Sequence, residues 1–155
     1  MTLWGGQSRT IFASYSPADE RWAVWLAWQF ERAEARYRTV VAAWDFDPAS
    51  NYGEFVRRGV RESDLVVAVV TQNYVSSRHA NREWQAALEV DPGKLLAVRV
   101  GDCAMDWLPS GVGFLDLRGV EDAGQVRRLV LDQVERMLSQ RWTPRRPSSA
   151  GSEDI

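Results

Sequence analysis

Cysteine and histidine are almost absent from this sequence, since Cys103 and His79 are the only residues of either type among 155. One cysteine cannot form an internal disulfide, and a structural zinc site needs a cluster of such ligands. The sequence therefore predicts no metal centre and a reducing, cytoplasmic setting. Long apolar runs are missing too: none approaches the roughly 20 residues that cross a bilayer, and the first residues show no signal-peptide pattern. We expect neither export nor a membrane partner.

An excess of positive charge is also absent. The 19 Lys and Arg residues stand against 21 Asp and Glu residues, so the formal net charge is −2. Because clustered basic side chains hold a phosphate backbone, nucleic acid is not expected as a partner.

Three motifs of common α/β enzymes do not occur. The chain has no Gly-x-Gly-x-x-Gly, no Gly-x-x-x-x-Gly-Lys and no Gly-x-Ser-x-Gly sequence. Their absence argues against hydride transfer on a Rossmann fold, against P-loop nucleotide hydrolysis and against a nucleophilic hydrolase triad.

What the sequence does contain is an alternation of apolar strands and amphipathic helices. Strands are predicted at 10–14, 39–44, 65–70, 94–100 and 114–117. Helices are predicted to begin at Ser16-Pro17 and run to Arg36, and to cover 52–62, 72–90 with a break near Ser76-Ser77, and 126–138. Residues 10–142 form the predicted domain, after an N-terminal extension at 1–9. Residues 143–155 are interpreted as a disordered tail or a linker to a further C-terminal domain.

This order of elements predicts an α/β fold of the flavodoxin-like type. It has three layers, with a five-stranded parallel sheet in the order 2-1-3-4-5 and helices on both faces. Such sheets bind ligands beyond the carboxyl ends of their strands, at the point where strand order reverses. Here that point lies between the first and third strands.

Several polar and aromatic groups are expected to converge there. They are Ser14 and its neighbours after the first strand, 71–74 after the third, the loop from Trp44 to Asn51, and Glu83 with His79 one helical turn earlier. A phospho-acceptor receiver domain is excluded, because the acidic residues that it needs after the first and third strands are missing.

Four segments in this order resemble the bacterial Toll/interleukin-1 receptor (TIR) domain family. The likeness covers about Thr10 to Gln140, and no single segment would be specific alone. The segments are Ile11-Phe12-Ala13-Ser14-Tyr15-Ser16 with Asp19, Trp44-Asp45-Phe46-Asp47-Pro48-Ala49-Ser50-Asn51, Thr71-Gln72-Asn73-Tyr74 with Ser76, and Glu83-Trp84.

The resemblance implies an enzyme that takes NAD as substrate, with no other cofactor, and cleaves its bond to nicotinamide. Glu83 aligns with the family's essential carboxylate. Phe12 and Ser14 align with residues that line the family's nicotinamide and ribose pocket. Trp44 and Phe46 align with residues at the edge of that pocket. The product would be ADP-ribose or a cyclic isomer. His79 stands where the family often has an aromatic residue.

The resemblance also implies self-association with other TIR domains, in bacterial defence or signalling. The surface that it points to includes the loop after the second strand, residues 45–51, called the BB loop in that family. Two alternatives stay open. One is a non-enzymatic TIR adaptor, and the other is an enzyme that cleaves the N-glycosidic bond of another substrate, such as a nucleoside. The BB-loop residues expected to take part are Asp45, Asp47, Pro48 and Asn51.

Overall fold

The computed structural model describes residues 9–142, and the side chains within them up to residue 140. Five parallel strands form one sheet in the order β2-β1-β3-β4-β5, which confirms the predicted architecture. The predicted tail at 143–155, and all of the predicted extension except Arg9, lie outside the described residues. The strands are β1 (Thr10–Ser14), β2 (Arg38–Val40), β3 (Leu65–Val70), β4 (Leu95–Arg99) and β5 (Gly113–Asp116).

Helices cover both faces of the sheet. Ser16 caps a short 3-10 turn at Pro17–Asp19 that leads into α1, as its Ser-Pro sequence predicted. The helices are α1 (Glu20–Arg32), α2 (Ala42–Asp45), α3 (Tyr52–Glu62), α4 (Gln72–Ser76), α5 (Arg78–Val90) and α6 (Ala123–Trp142). The predicted break near Ser76-Ser77 is confirmed, since Ser77 ends α4 and its side chain accepts the Ala80 N–H at the start of α5.

Alternation along the strands divides the core into two layers. On one face, Ile11 and Val67 pack beneath α1 and α6. On the other face, Phe12 and Val66 pack beneath α3, α4 and α5. Phe12 pairs with Val66 in the sheet, and Ser14 pairs with Ala68 two residues further on. Because side chains alternate with period two, Ser14 faces the same layer as Phe12, beneath α5.

Two elements end four residues earlier than predicted. The first helix ends at Arg32 instead of Arg36, because Arg36 has a positive φ of 54° and the Tyr37 N–H bonds back to the Phe30 carbonyl. The second strand ends at Val40 instead of residue 44. Its Ala-Ala sequence continues as the helical turn α2, in which an Asp45 carboxylate oxygen accepts the Val41 N–H at 2.8 Å.

No helix between residues 9 and 142 combines the length and the apolar character needed to span a membrane.

Candidate active site

A buried hydrogen bond joins the first strand to the fifth helix. Ser14 is the last residue of β1, and Glu83 lies in the second turn of α5, on the helix face that packs against the sheet. The Ser14 hydroxyl donates to Glu83 Oε1 at 2.6 Å. Ser14 is 0% exposed and Glu83 is 2% exposed. A carboxylate placed so deeply costs free energy unless several donors satisfy it, so its other partners matter.

Two tyrosine hydroxyls complete this arrangement. The Tyr52 hydroxyl donates to Glu83 Oε2, the carboxylate oxygen that Ser14 does not contact. The Tyr74 hydroxyl lies 2.8 Å from Ser14 Oγ. Because the Ser14 hydrogen points to Glu83, Tyr74 donates to Ser14 in turn. The result is a chain of donors that ends on one carboxylate.

Burial governs the ionisation of this carboxylate. It raises the pKa of Glu83 from 4.5 to about 7. Hydrogen bonds from Ser14, Tyr52 and the Tyr15 backbone N–H lower the pKa, since they stabilise the charged form, but burial outweighs them. The pKa values of Tyr52 and Tyr74 lie well above 10, through burial and the neighbouring Glu83 charge. Both phenols therefore remain donors wherever Glu83 titrates.

An open cleft of about 380 Å³ lies beside Tyr52. Aromatic side chains dominate its wall, which also includes the Glu20 carboxylate and the ring of His79. Of the groups that surround Glu83, both Tyr52 and Tyr15 reach this wall. The residues that characterise it are Tyr15, Glu20, Phe46, Tyr52 and His79.

Tyr15 ties one side of this cleft to the chain that follows β2. Its hydroxyl accepts the backbone N–H of Ala43, in α2, at 3.0 Å. Burial raises the pKa of Tyr15 to about 12. The first residue after β1 therefore fixes where the BB loop begins.

The residues expected to bind substrate do not all meet at this cleft. Phe46 and His79 line it, and both rings contact Tyr52 edge-on, with centroids 5.1 Å and 4.9 Å away. Phe12 is buried under α3 and packs against Phe55. Trp44 lies apart from the cleft wall, 43% exposed, with its ring edge-on to Trp28 of α1.

The four BB-loop residues expected in assembly are exposed. Three of them also make local hydrogen bonds. Asp45 accepts the Val41 N–H, Asp47 accepts the Ala49 N–H at 3.0 Å, and Asn51 caps α3 by accepting the Glu54 N–H at 2.9 Å. The loop thus has a defined shape, and the remaining residue, Pro48, lies on its outer side.

Tyr52 is the site residue that sequence reasoning missed. It precedes Glu83 by 31 residues and was seen only as the start of a helix. Tyr74 was grouped with the loop after β3, but its bond to Ser14 was not foreseen. One signal was present, since three of the four tyrosines follow β1, the BB loop or β3, the segments expected at the ligand edge.

Metal chemistry finds no support in the part of the chain that the structure describes. Residues 9–142 hold no group of three or more His, Cys, Asp or Glu side chains placed to bind a metal ion. The site therefore contains one carboxylate, whose charge changes near neutral pH, surrounded by phenol and serine hydroxyls.

Comparison with known families decides what kind of domain carries this arrangement. A family model described as a TIR domain matches residues 11–130. The chain belongs to the TIR domain family. This confirms the resemblance drawn from the four segments. No curated protein matches this TIR domain significantly in sequence.

Solved structures share its fold at low sequence identity. The TIR domain of the Toll-related receptor TRR-2 of Hydra magnipapillata has a TM-score of 0.67 and 18% identity, over 83% of this chain and 96% of that one. A prokaryotic SEFIR domain has a TM-score of 0.62 and 15% identity, over 84% and 92%. A response regulator receiver protein of Sinorhizobium medicae has a TM-score of 0.53 and 17% identity, over 87% and 98%. At these identities the likeness concerns the fold alone.

Proposed function

We propose that this TIR domain is an NAD glycohydrolase, which breaks the bond between nicotinamide and ribose. The observation that carries the proposal is the buried Glu83 carboxylate, held by Ser14 and Tyr52 beside an aromatic cleft at the carboxyl end of β1. Glu83 is also the residue that aligns with the family's essential glutamate. An isolated structural carboxylate would more often lie on the solvated face of its helix, as Glu89 does.

The reaction needs few groups. Nicotinamide in NAD is a cation, so the electron pair of its bond to ribose leaves with the ring nitrogen and no general acid is required. This distinguishes the reaction from ordinary glycoside hydrolysis, which uses two carboxyl groups. Water then adds its oxygen to the ribose carbon and releases a proton, giving ADP-ribose. A nucleophilic atom of the adenine end in place of water would give a cyclic isomer.

Glu83 has two roles in this proposal. Its carboxylate accepts hydrogen bonds from the ribose hydroxyls and stabilises the positive charge that develops on the ring as nicotinamide leaves. Ser14 fixes Oε1, which leaves Oε2, on the side of Tyr52, as the oxygen for the substrate. A preorganised charge in a site shielded from water is worth far more than one that water screens.

The cleft suits the cationic end of NAD. Among the described residues that line it there is no Lys or Arg, whereas the Glu20 carboxylate is present. The rings of Phe46, Tyr52 and His79 offer faces and edges on which nicotinamide can stack. The pyrophosphate, with its negative charge, would lie outside this cleft. We further propose a cytoplasmic location, and activation when copies of the domain assemble through their BB loops.

The test is a time course of NAD consumption and nicotinamide release at high protein concentration. We expect Glu83→Gln to lower the rate by at least about 100-fold, the usual cost of losing a charge-stabilising group. Glu89→Gln is the matched control, since Glu89 is exposed on the same helix and its loss should leave the rate unchanged. Equal rates in the natural chain and in Glu83→Gln, or no nicotinamide release even from the clustered natural chain, would reject the proposal.

A second candidate is an adaptor that only recruits other TIR domains. One observation favours it: Trp28 and Trp44 form an exposed aromatic pair outside the cleft, with 49% and 43% of their surfaces exposed. Aromatic side chains of this kind are enriched at protein interfaces. An adaptor would associate with itself and release no nicotinamide, so the same time course separates the two candidates.

A further inference from the structure

Tyr52 stands between Glu83 and the cleft. Its hydroxyl is bonded to Glu83 Oε2, while its ring forms part of the cleft wall. Glu83 is 2% exposed and does not itself line the cleft. With Ser14 on Oε1 and Tyr52 on Oε2, both carboxylate oxygens already have donors. Each oxygen could accept a second hydrogen bond, but Glu83 is almost fully buried and Tyr52 lies on its cleft side. A ligand hydroxyl in the cleft therefore reaches the carboxylate only by displacing one of these donors.

The two donors differ in how easily they can leave. Ser14 is the end residue of a central strand, is 0% exposed and receives a second hydrogen bond from Tyr74. Tyr52 is partly exposed and is held by ring contacts with Phe46 and His79, whose own side chains border the open cleft. The Tyr52 phenol therefore has open space beside it, whereas the Ser14 side chain is enclosed.

Tyr52 is also joined directly to the BB loop. It is the first residue of α3, and Asn51, which caps that helix, is the last residue of the loop. Phe46, within the loop, packs on Tyr52 with its ring at 86°. A change in loop conformation therefore moves Phe46, one of the two rings that hold the Tyr52 ring in place.

We propose that Tyr52 is a shutter on Glu83, whose hydroxyl occupies the place of a substrate hydroxyl and must be displaced before the carboxylate can act. The inference rests on the proposed function for the identity of the substrate. The closed arrangement itself belongs to this chain whatever the ligand is. The shutter makes the domain inactive in the conformation described, and it gives the BB loop a direct mechanical connection to the carboxylate.

The first arm of the test measures access to Glu83 without any enzyme assay. A water-soluble carbodiimide with an amine labels carboxyl groups that solvent reaches, and peptide mass spectrometry gives the ratio of label on Glu83 to label on exposed Glu89. We expect Tyr52→Phe to raise this ratio about tenfold, the factor by which losing a hydrogen bond to a charged group shifts an equilibrium. Tyr52→Ala, which removes the ring as well, should raise it further.

Tyr37→Phe is the matched control. Tyr37 is a buried tyrosine that packs against Phe30 on the opposite face of the sheet. The ratio of label on Glu83 to label on Glu89 should be the same in Tyr37→Phe as in the natural chain. A ratio unchanged in Tyr52→Phe, or raised equally in Tyr37→Phe, would overturn the shutter. If Tyr52→Ala does not fold by circular dichroism, Tyr52→Phe alone decides.

The second arm measures NAD cleavage at about pH 8.5, where Glu83 is ionised. We expect Tyr52→Phe to raise kcat/KM about three- to tenfold, since the substrate no longer competes with the phenol hydroxyl. A fall in kcat with KM unchanged would instead make Tyr52 a residue that only orients Glu83, and would overturn the proposal. No nicotinamide release from any variant would reject the proposed function, while the labelling ratio would still decide on the shutter.

Discussion

At the residue scale, burial controls the charge of Glu83. The unfolded chain releases this proton near pH 4.5, whereas the folded domain keeps it up to about pH 7. Between these values the folded state binds more protons than the unfolded state, so the free energy of unfolding falls as the pH rises. One pKa unit corresponds to about 1.4 kcal/mol, so the loss is on the order of 3 kcal/mol at most.

Glu83→Gln should remove this pH dependence. The amide is always neutral, and the hydroxyls of Ser14 and Tyr52 can turn to accept its N–H groups. We therefore expect the Tm of Glu83→Gln, relative to the natural chain, to rise steadily from about pH 5 to about pH 8 in thermal unfolding scans. Glu89→Gln should show no such trend. A constant difference across this range would mean that the natural carboxyl is not protonated in the folded domain at neutral pH.

The same residue shows how far sequence reasoning reached at the site. Glu83 and Ser14 were placed together from family resemblance and strand order, and they do form a hydrogen bond. Tyr52 was not foreseen, because a contact between the first residue of one helix and the second turn of another leaves no periodic signal in the sequence. Phe12 and Trp44 were expected to bind substrate, but their places below α3 and beside Trp28 depend on side-chain packing that strand order does not specify.

At the element scale, α3 approaches the sheet closely because of one glycine. A Cβ built at Gly59 would lie 2.6 Å from two ring carbons of Phe12, whose side chain is 1% exposed and has no space to yield. This contact lets the second half of α3 pack close to β1, and Tyr52 is the first residue of the same helix. The glycine thus has a packing role that its low helix propensity alone would not suggest.

Gly59→Ala should destabilise the domain. Alanine gains about 1 kcal/mol from helix propensity, but overpacking against a buried ring costs about 1–3 kcal/mol, so the net change is a loss. Urea unfolding should show a lower midpoint with an unchanged slope. Gly101→Ala is the control, since its Cβ would meet Thr71 only at an ordinary 3.8 Å. A midpoint equal to that of the natural chain would show that α3 can shift away without loss.

One strand was predicted to be longer than it is. The apolar segment 39–44 was taken as a strand throughout, yet only Arg38–Val40 pairs with β1 and Ala42–Asp45 is helical. Local propensity favours a strand at the β-branched residues and a helix at the two alanines, and the Asp45 bond to the Val41 N–H decides between them. Long buried strands such as Leu65–Val70 were clear because they are continuous apolar runs.

At the scale of the whole molecule, we expect the exposed aromatic pair on α1 and α2, next to the start of the BB loop, to extend the surface used in self-association. Trp28 and Trp44 contact each other edge-on, and Arg32 lies 5.1 Å from the Trp28 ring. Burying two such rings against a second copy would supply a large part of an interface hot spot.

Replacing both tryptophans should weaken association. We expect Trp28→Gln with Trp44→Gln to shift the sedimentation coefficient at high concentration toward the monomer value, and to abolish any rise in NAD turnover per chain with concentration. Val90→Ser is the control, since Val90 is 51% exposed on a different helix. Association unchanged in the double variant would place the interface elsewhere.

The residues that donate hydrogen bonds to Glu83 lie far from it in the sequence, and this separation determines when the site forms during folding. Ser14 precedes it by 69 residues and Tyr52 by 31, so every donor is synthesised before the carboxylate that it will hold. Contacts between distant residues form late in folding, because the chain between them must first lose much of its freedom. Until α5 docks on the sheet, residue 83 is an ordinary solvated glutamate. A nascent or misfolded copy therefore lacks the buried charge, so the proposed NAD cleavage would belong to the completed fold alone.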